Sequence, residues 1–174
     1  MASYYYLLSS LPMLTASAPP PLEYSAFLAM CRSSVSPATY TALEELTVDS
    51  DRGALLKPWS RFYQRLRQEL RYQRMTRLGK PCQPPEDRDA AAAVQAAMAA
   101  ENPLLGEQQL LELEFRQIDA LVGFHVFDDV ALFGYALKLK LLLRIRQFDA
   151  DRGAAAYRRI YDAILRDDRQ EAVS

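Results

Sequence analysis

From Trp59 onward, apolar residues return every three or four positions: Trp59, Phe62, Tyr63, Leu66 and Leu70. That spacing lines one face of an α-helix and predicts a long helix over about 54–78, stopped by Gly79 and Pro81. A short helix at about 23–32 carries Phe27, Leu28 and Met30, and a second opens at Ser36-Pro37, where Ser caps and Pro takes the first helical position. The stretch "DRDAAAAVQAAMAAEN" reads as an alanine-rich helix with an Asp-rich start. Asn102-Pro103 opens another, to about 122, with Leu104, Leu111, Phe115, Ile118 and Val122 on one face. Asp128 caps a helix over about 129–148, and a last amphipathic helix carries Tyr157, Ile160, Tyr161 and Ile164. The polar residues 167–174 are expected to fray.

The N-terminus breaks the periodic pattern. In "MASYYYLLSSLPMLTASAPPP" the triplet Ala16-Ser17-Ala18 matches what a signal peptidase cuts, yet no Lys or Arg precedes Arg32, and Ser9, Ser10 and Pro12 interrupt the apolar run. An export signal needs both the charge and the continuity. The expectation is a retained segment, with the tyrosines favouring extended backbone or a short strand laid on the helices.

With no alternation of strands and helices, the fold class is all-α: about seven helices in a compact bundle-like array. Residues 1–170 form a single helical domain, with a sub-lobe boundary at "KPCQPPED", near 80–88. Composition adds little: half the residues are hydrophobic, a quarter charged, and the net charge is -1. Two distant cysteines, Cys31 and Cys82, fit a reduced cytoplasmic protein. The most apolar stretch, "VALFGYALKLKLLLRI", is cut by Lys138, Lys140 and Arg144, so no integral membrane segment is expected.

Catalytic chemistry finds little to work with. His125 is the only histidine, which removes most triads and zinc sites. With Asp128 and Asp129 beside it, a helix cap with a locally bonded imidazole outweighs a metal site. No phosphate-cradling glycine loop occurs, and Glu44-Glu45 and Glu112/Glu114 have the spacing of solvated helix faces. No enzyme activity, cofactor or metal is expected.

Charge concentrates instead on one helix. Lys57, Arg61, Arg65, Arg67, Arg71, Arg74, Arg77 and Lys80 are opposed within that segment only by Glu69. Such a helix either binds an acidic protein, RNA or anionic lipid, or is balanced across space by acidic stretches such as "PPEDRD" and "LEELTVDSD". The near-exclusive use of arginine suits carboxylates and phosphates. The 129–148 helix has a stripe of Val130, Phe133, Leu137, Leu141, Ile145 and Phe148, widened by Leu132, Leu139, Leu142 and Leu143, and reads as a core helix.

Three stretches, "YYYLLSSLPML", "LRQELRYQRMTRLGK" and "GYALKLKLLLRIRQFDADRG", in this order and spacing, resemble a bacterial family of unknown function associated with V-type (A/V-type) ATPase genes. The last is also similar to the helical Tyr/Leu-then-Arg pattern of the V-type ATPase C (d) subunit. The matching positions are Arg67, Glu69, Leu70, Arg74, Leu78 and Gly79, then Tyr135, Leu137, Lys138, Leu139 and Arg144. The resemblance implies a non-catalytic interaction subunit or assembly factor on the cytoplasmic side, with stalk or rotor subunits as partners. Candidate interaction residues are Arg61, Arg65, Arg67, Arg71, Arg74, Arg77, Tyr135, Lys138 and Arg144. The alternative is a nucleic-acid-binding module using helix 57–80, disfavoured by the net charge and the lack of a recognised motif.

Overall fold

Three helix starts are closed by the side chain the sequence puts there. Ser36 Oγ accepts from the Thr39 N–H at 3.1 Å, Asn102 Oδ1 from Leu105 at 2.9 Å and Asp128 Oδ1 from Ala131 at 3.0 Å. Each satisfies a backbone donor that the first helical turn leaves open. In the computed structural model, which describes residues 4–146, these caps belong to an all-α array. Its helices are α1 Tyr4–Ser10, α2 Tyr24–Cys31, α3 Pro37–Glu44, α4 Leu56–Arg77, α5 Ala91–Met98, α6 Pro103–Val122 and α7 Asp129–Ile145. No strand occurs among the described residues. The helix expected around Tyr157–Ile164, the tail 167–174 and Phe148 lie outside them.

The N-terminal expectation is corrected. Tyr4–Ser10 is helical, not extended. Leu7 is buried, and Tyr4, Leu8, Leu11 and Leu14 pack against the same core. Distant groups hold the segment as well: the Tyr4 hydroxyl donates to Asp129, Tyr135 donates to the Pro12 carbonyl at 2.9 Å, and Gln108 donates to the Ala16 carbonyl at 2.8 Å. Tertiary contacts of this kind override the weak preference of tyrosine for extended backbone.

α7 is the centre of the main core. Leu132, Ala136, Leu137, Leu139, Leu141 and Leu142 are buried, whereas Val130, Phe133 and Ile145 of the expected stripe are only half-buried. The helix is covered on more than one side, by α6, α3 and α1. Each fully buried leucine stabilises the fold by about 1.5–3 kcal/mol relative to exposure. Trp59 on α4 closes another side, stacked on Tyr63 with ring centroids 5.5 Å apart and its indole N–H on the Val48 carbonyl at 2.8 Å.

A second, smaller apolar cluster joins Leu66 of α4, Val94 and Ala97 of α5 and Leu110 of α6. α5 and α6 approach closely: a Cβ on Gly106 would sit 2.4 Å from the Ala97 carbonyl oxygen. The proline-rich 80–88 stretch is the connection from α4 to α5. α4 stops where the sequence indicates, with Gly79 at φ 66 and the Lys80 N–H closing on the Met75 carbonyl at 3.0 Å. α5 starts later than its Asp-rich lead-in implies, because Asp87 and Arg88 are drawn back onto α4 as ion-pair partners.

Candidate interaction surface

α4 is amphipathic, with Trp59, Leu66 and Glu69 buried and its arginines outside. The structure divides those arginines into two groups. Arg65 pairs with Asp87, and Arg67 pairs with Asp49 at 2.7 Å while lying over the Tyr63 ring at 5.7 Å. Arg77 donates to the Met98 carbonyl at 3.1 Å. The balancing acids come from the two acidic stretches flanking the helix in sequence. Lys57, Arg61, Arg71, Arg74 and Lys80 are exposed and make no ion pair among the described residues. Positions 57, 61 and 71 fall on the outer face of the helix at helical spacing, and Arg74 flanks them.

Arg74 and Arg77 also line a cleft of about 280 Å³ between the C-terminal half of α4 and the start of α6, together with Met98, Leu110, Glu101 and Glu107. Leu78, Leu104 and Leu105 are exposed at this end of the molecule. The cleft thus carries two arginines and two glutamates, with the unpaired cations of α4 and exposed leucines beside it.

The three C-terminal candidates lie elsewhere, turned toward the body of the protein. Tyr135 holds the Pro12 carbonyl and stacks on Phe27 at 5.5 Å. Lys138 pairs with Asp119 and lies over the Phe115 ring at 5.2 Å. Lys140, on another side, lies over the Tyr24 ring at 3.7 Å. Arg144 donates to both carboxylate oxygens of Glu114, at 2.9 and 3.3 Å, and to the Tyr63 hydroxyl at 3.0 Å. These residues join helices to one another and do not share the α4 surface.

Two buried carboxylates escaped the sequence reading. Glu114 is only 2 % exposed, which corrects its assignment to a solvated face. Burial pushes its carboxyl up to about 7, against the pull of the Arg144 charge and hydrogen bonds. Glu69, 1 % exposed, is bound by Arg88 at 2.9 Å and by Gln73 at 2.7 Å. The Arg88 hydrogen bond, helped by that of Gln73 and by the Arg88 charge, holds its carboxyl below the usual range and outweighs burial. Every buried side-chain N or O among the described residues has a partner.

His125 and Asp128 behave as the local pattern indicates: Nδ1 bonds Asp128, whose other oxygen caps α7. No group of three metal-ligating side chains occurs among the described residues. Both cysteines are free, and burial pushes the Cys31 thiol up to about 11, leaving it protonated. Compared with known protein families, curated proteins and solved structures, the chain gives no match.

Proposed function

We propose that this chain is a non-catalytic helical interaction protein that docks a carboxylate-rich protein surface through the outer face of α4. The observation that carries this is the division of charge on that helix. Asp49 and Asp87 neutralise two arginines, while Lys57, Arg61, Arg71, Arg74 and Lys80 have no ionic partner among the described residues. Exposed guanidinium groups on a rigid helix are pre-set to form paired hydrogen bonds with carboxylates. The nearby Leu78, Leu104 and Leu105 add apolar area beside the charges, as protein interfaces do.

The partner we propose is a stalk or rotor subunit of a V-type ATPase, met on the cytoplasmic side either as a permanent neighbour or during assembly. The motif resemblance around Arg67–Gly79 and Tyr135–Arg144 supports this choice. Among the described residues no helix is long and apolar enough to cross a membrane.

The test is affinity capture from native membranes with the tagged chain and with the double variant Arg71→Glu/Arg74→Glu. Recovery of stalk or rotor subunits by the first, and their loss with the second, is expected. Capture of no ATPase subunit, equal capture by both forms, or selective retention of RNA at low salt overturns the proposal.

A further inference from the structure

A cleft of about 440 Å³ lies between the C-terminal half of α4 and α5. Two guanidinium groups reach it from different elements. Arg88, from the connector, lies over the Tyr72 ring at 5.1 Å and grips the buried Glu69 through Nε and Nη2, at 3.3 and 2.9 Å. Arg77, from the last turn of α4, donates through Nη1 to the Met98 carbonyl at 3.1 Å. Both heads are thus held in place by the fold. Each keeps N–H groups with no acceptor among the described residues, on Nη1 of Arg88 and on Nε and Nη2 of Arg77.

The charge of this cleft differs from that of its neighbours. The cleft that Arg77 shares with Arg74 carries Glu101 and Glu107, and the one beside the proline-rich connector contains Glu86 as well as Arg71. No Asp or Glu lines the cleft between α4 and α5. Glu69 balances the charge of Arg88, while Arg77 makes no ion pair among the described residues, so a positive charge remains. The rest of the lining is neutral. Gln73 and Thr76 spend their donors on Glu69, Ala91 and Tyr72, which leaves Gln73 Oε1 and Thr76 Oγ1 able to accept. Gln95 is exposed and lines the cleft with its amide uncommitted among the described residues. The volume falls within the roughly 300–1,000 Å³ of small-molecule sites and exceeds what a bare oxyanion fills.

We propose that this cleft binds a small organic phosphate, a phosphate monoester on a hydroxylated body. Arg77 takes the phosphate, because its charge is the unmatched one and a guanidinium offers paired N–H groups to phosphate oxygens. A phosphate monoester brings about −1.5 to −2 charges and three acceptor oxygens, more than a carboxylate sets against the spare N–H groups of Arg77. The hydroxyl groups, which donate and accept, meet Arg88 Nη1, Gln73, Thr76 and Gln95. Because the guanidinium groups are already held, binding costs little side-chain ordering. The site is separate from the docking face, since positions 72, 73, 76 and 77 lie on the opposite side of α4 from 71 and 74.

Isothermal titration calorimetry on the full chain at fixed ionic strength tests this, with glycerol 3-phosphate, inorganic phosphate and glycerate as probes. Arg77→Gln and Gln95→Leu are the variants; both residues are exposed, and cooperative unfolding without a probe verifies that the variants fold. Glycerol 3-phosphate is expected to bind at one site, more tightly than inorganic phosphate or glycerate. Arg77→Gln should weaken it about tenfold or more and Gln95→Leu by less, whereas Arg71→Gln/Arg74→Gln leaves it unchanged. No saturable binding of glycerol 3-phosphate at millimolar concentration overturns the inference, as does binding that Arg77→Gln leaves intact. So does equal affinity for inorganic phosphate or glycerate, or an equal loss with Arg71→Gln/Arg74→Gln, which would mark general attraction to a basic helix.

Discussion

Glu114 on α6 and Arg144 on α7 meet inside the helix array, and the same guanidinium reaches Tyr63 on α4. One polar link therefore ties the three longest helices together. Removing one member leaves the other charge in a site with little water. Arg144→Ala is expected to destabilise the protein by about 3–5 kcal/mol. Replacing both residues with apolar ones of similar size, as in Glu114→Leu/Arg144→Met, should cost less than that single change. Urea unfolding followed by the emission of Trp59, the only tryptophan, measures both.

The same pair gives stability a pH dependence of defined sign. The folded-state carboxyl of Glu114 titrates at about 7, above its ordinary value of 4.5, because it is buried. The folded protein thus holds this proton more tightly than the unfolded chain. Its contribution is full below about 4.5, declines as pH rises, and is gone above about 7. Between those limits the slope is at most about 1.4 kcal/mol per pH unit. Glu114→Gln should show a flatter stability profile over this window than the wild type. Parallel profiles would show that Glu114 does not titrate there.

Little of this pair was legible in the sequence. Glu112 and Glu114 are two residues apart on one helix and look alike, but Glu112 is exposed and Glu114 is buried. What distinguishes them is the face of α6 that α7 covers, and the arginine that arrives from 30 positions away. α1 escaped for the same reason: its only buried residue is Leu7, and its contact with Asp129 spans 125 positions. Local information sufficed where local physics decides. The caps at Ser36, Asn102 and Asp128, the stop at Gly79 and the period of α4 and α6 all follow from neighbours within one or two turns. The basic helix was legible by composition, and its acidic counterweights were visible as stretches. Which arginines they neutralise depends on how the loops fold back.

The two glycines inside helices differ in what surrounds them. A Cβ on Gly106 would lie 2.4 Å from the Ala97 carbonyl oxygen, which belongs to the backbone of α5. A Cβ on Gly134 would lie 2.5 Å from Val122 Cγ2, a side-chain methyl. Backbone yields only if α5 and α6 separate, whereas a side chain can rotate. Gly106→Ala is expected to lose about 1–3 kcal/mol through this overpacking, and Gly134→Ala less. Denaturant midpoints of the two variants, compared at equal slope, check the order.

The exposed arginines of α4 are expected to work against folding, which separates them from the structural ones. Arg67, Arg71, Arg74 and Arg77 follow one another at three- and four-residue spacing, where like charges destabilise a helix by about 0.2–0.5 kcal/mol per pair. Asp49 pairs with Arg67, whereas Arg71 and Arg74 make no direct ion pair among the described residues, although Glu86 shares a cleft with Arg71, and Glu101 and Glu107 share one with Arg74. Arg71→Gln/Arg74→Gln should therefore keep or raise the unfolding midpoint, and added salt should stabilise the wild type more than this variant by screening the repulsion. Arg88→Ala should behave oppositely, lowering the midpoint by leaving the buried Glu69 carboxylate with only Gln73 as a side-chain donor. Like charges that form no direct ion pair on the outer face of a helix leave their guanidinium groups open to a partner that supplies carboxylates. If the Arg71/Arg74 variant instead loses stability, those residues serve the fold, and the docking role of α4 loses the observation on which it rests.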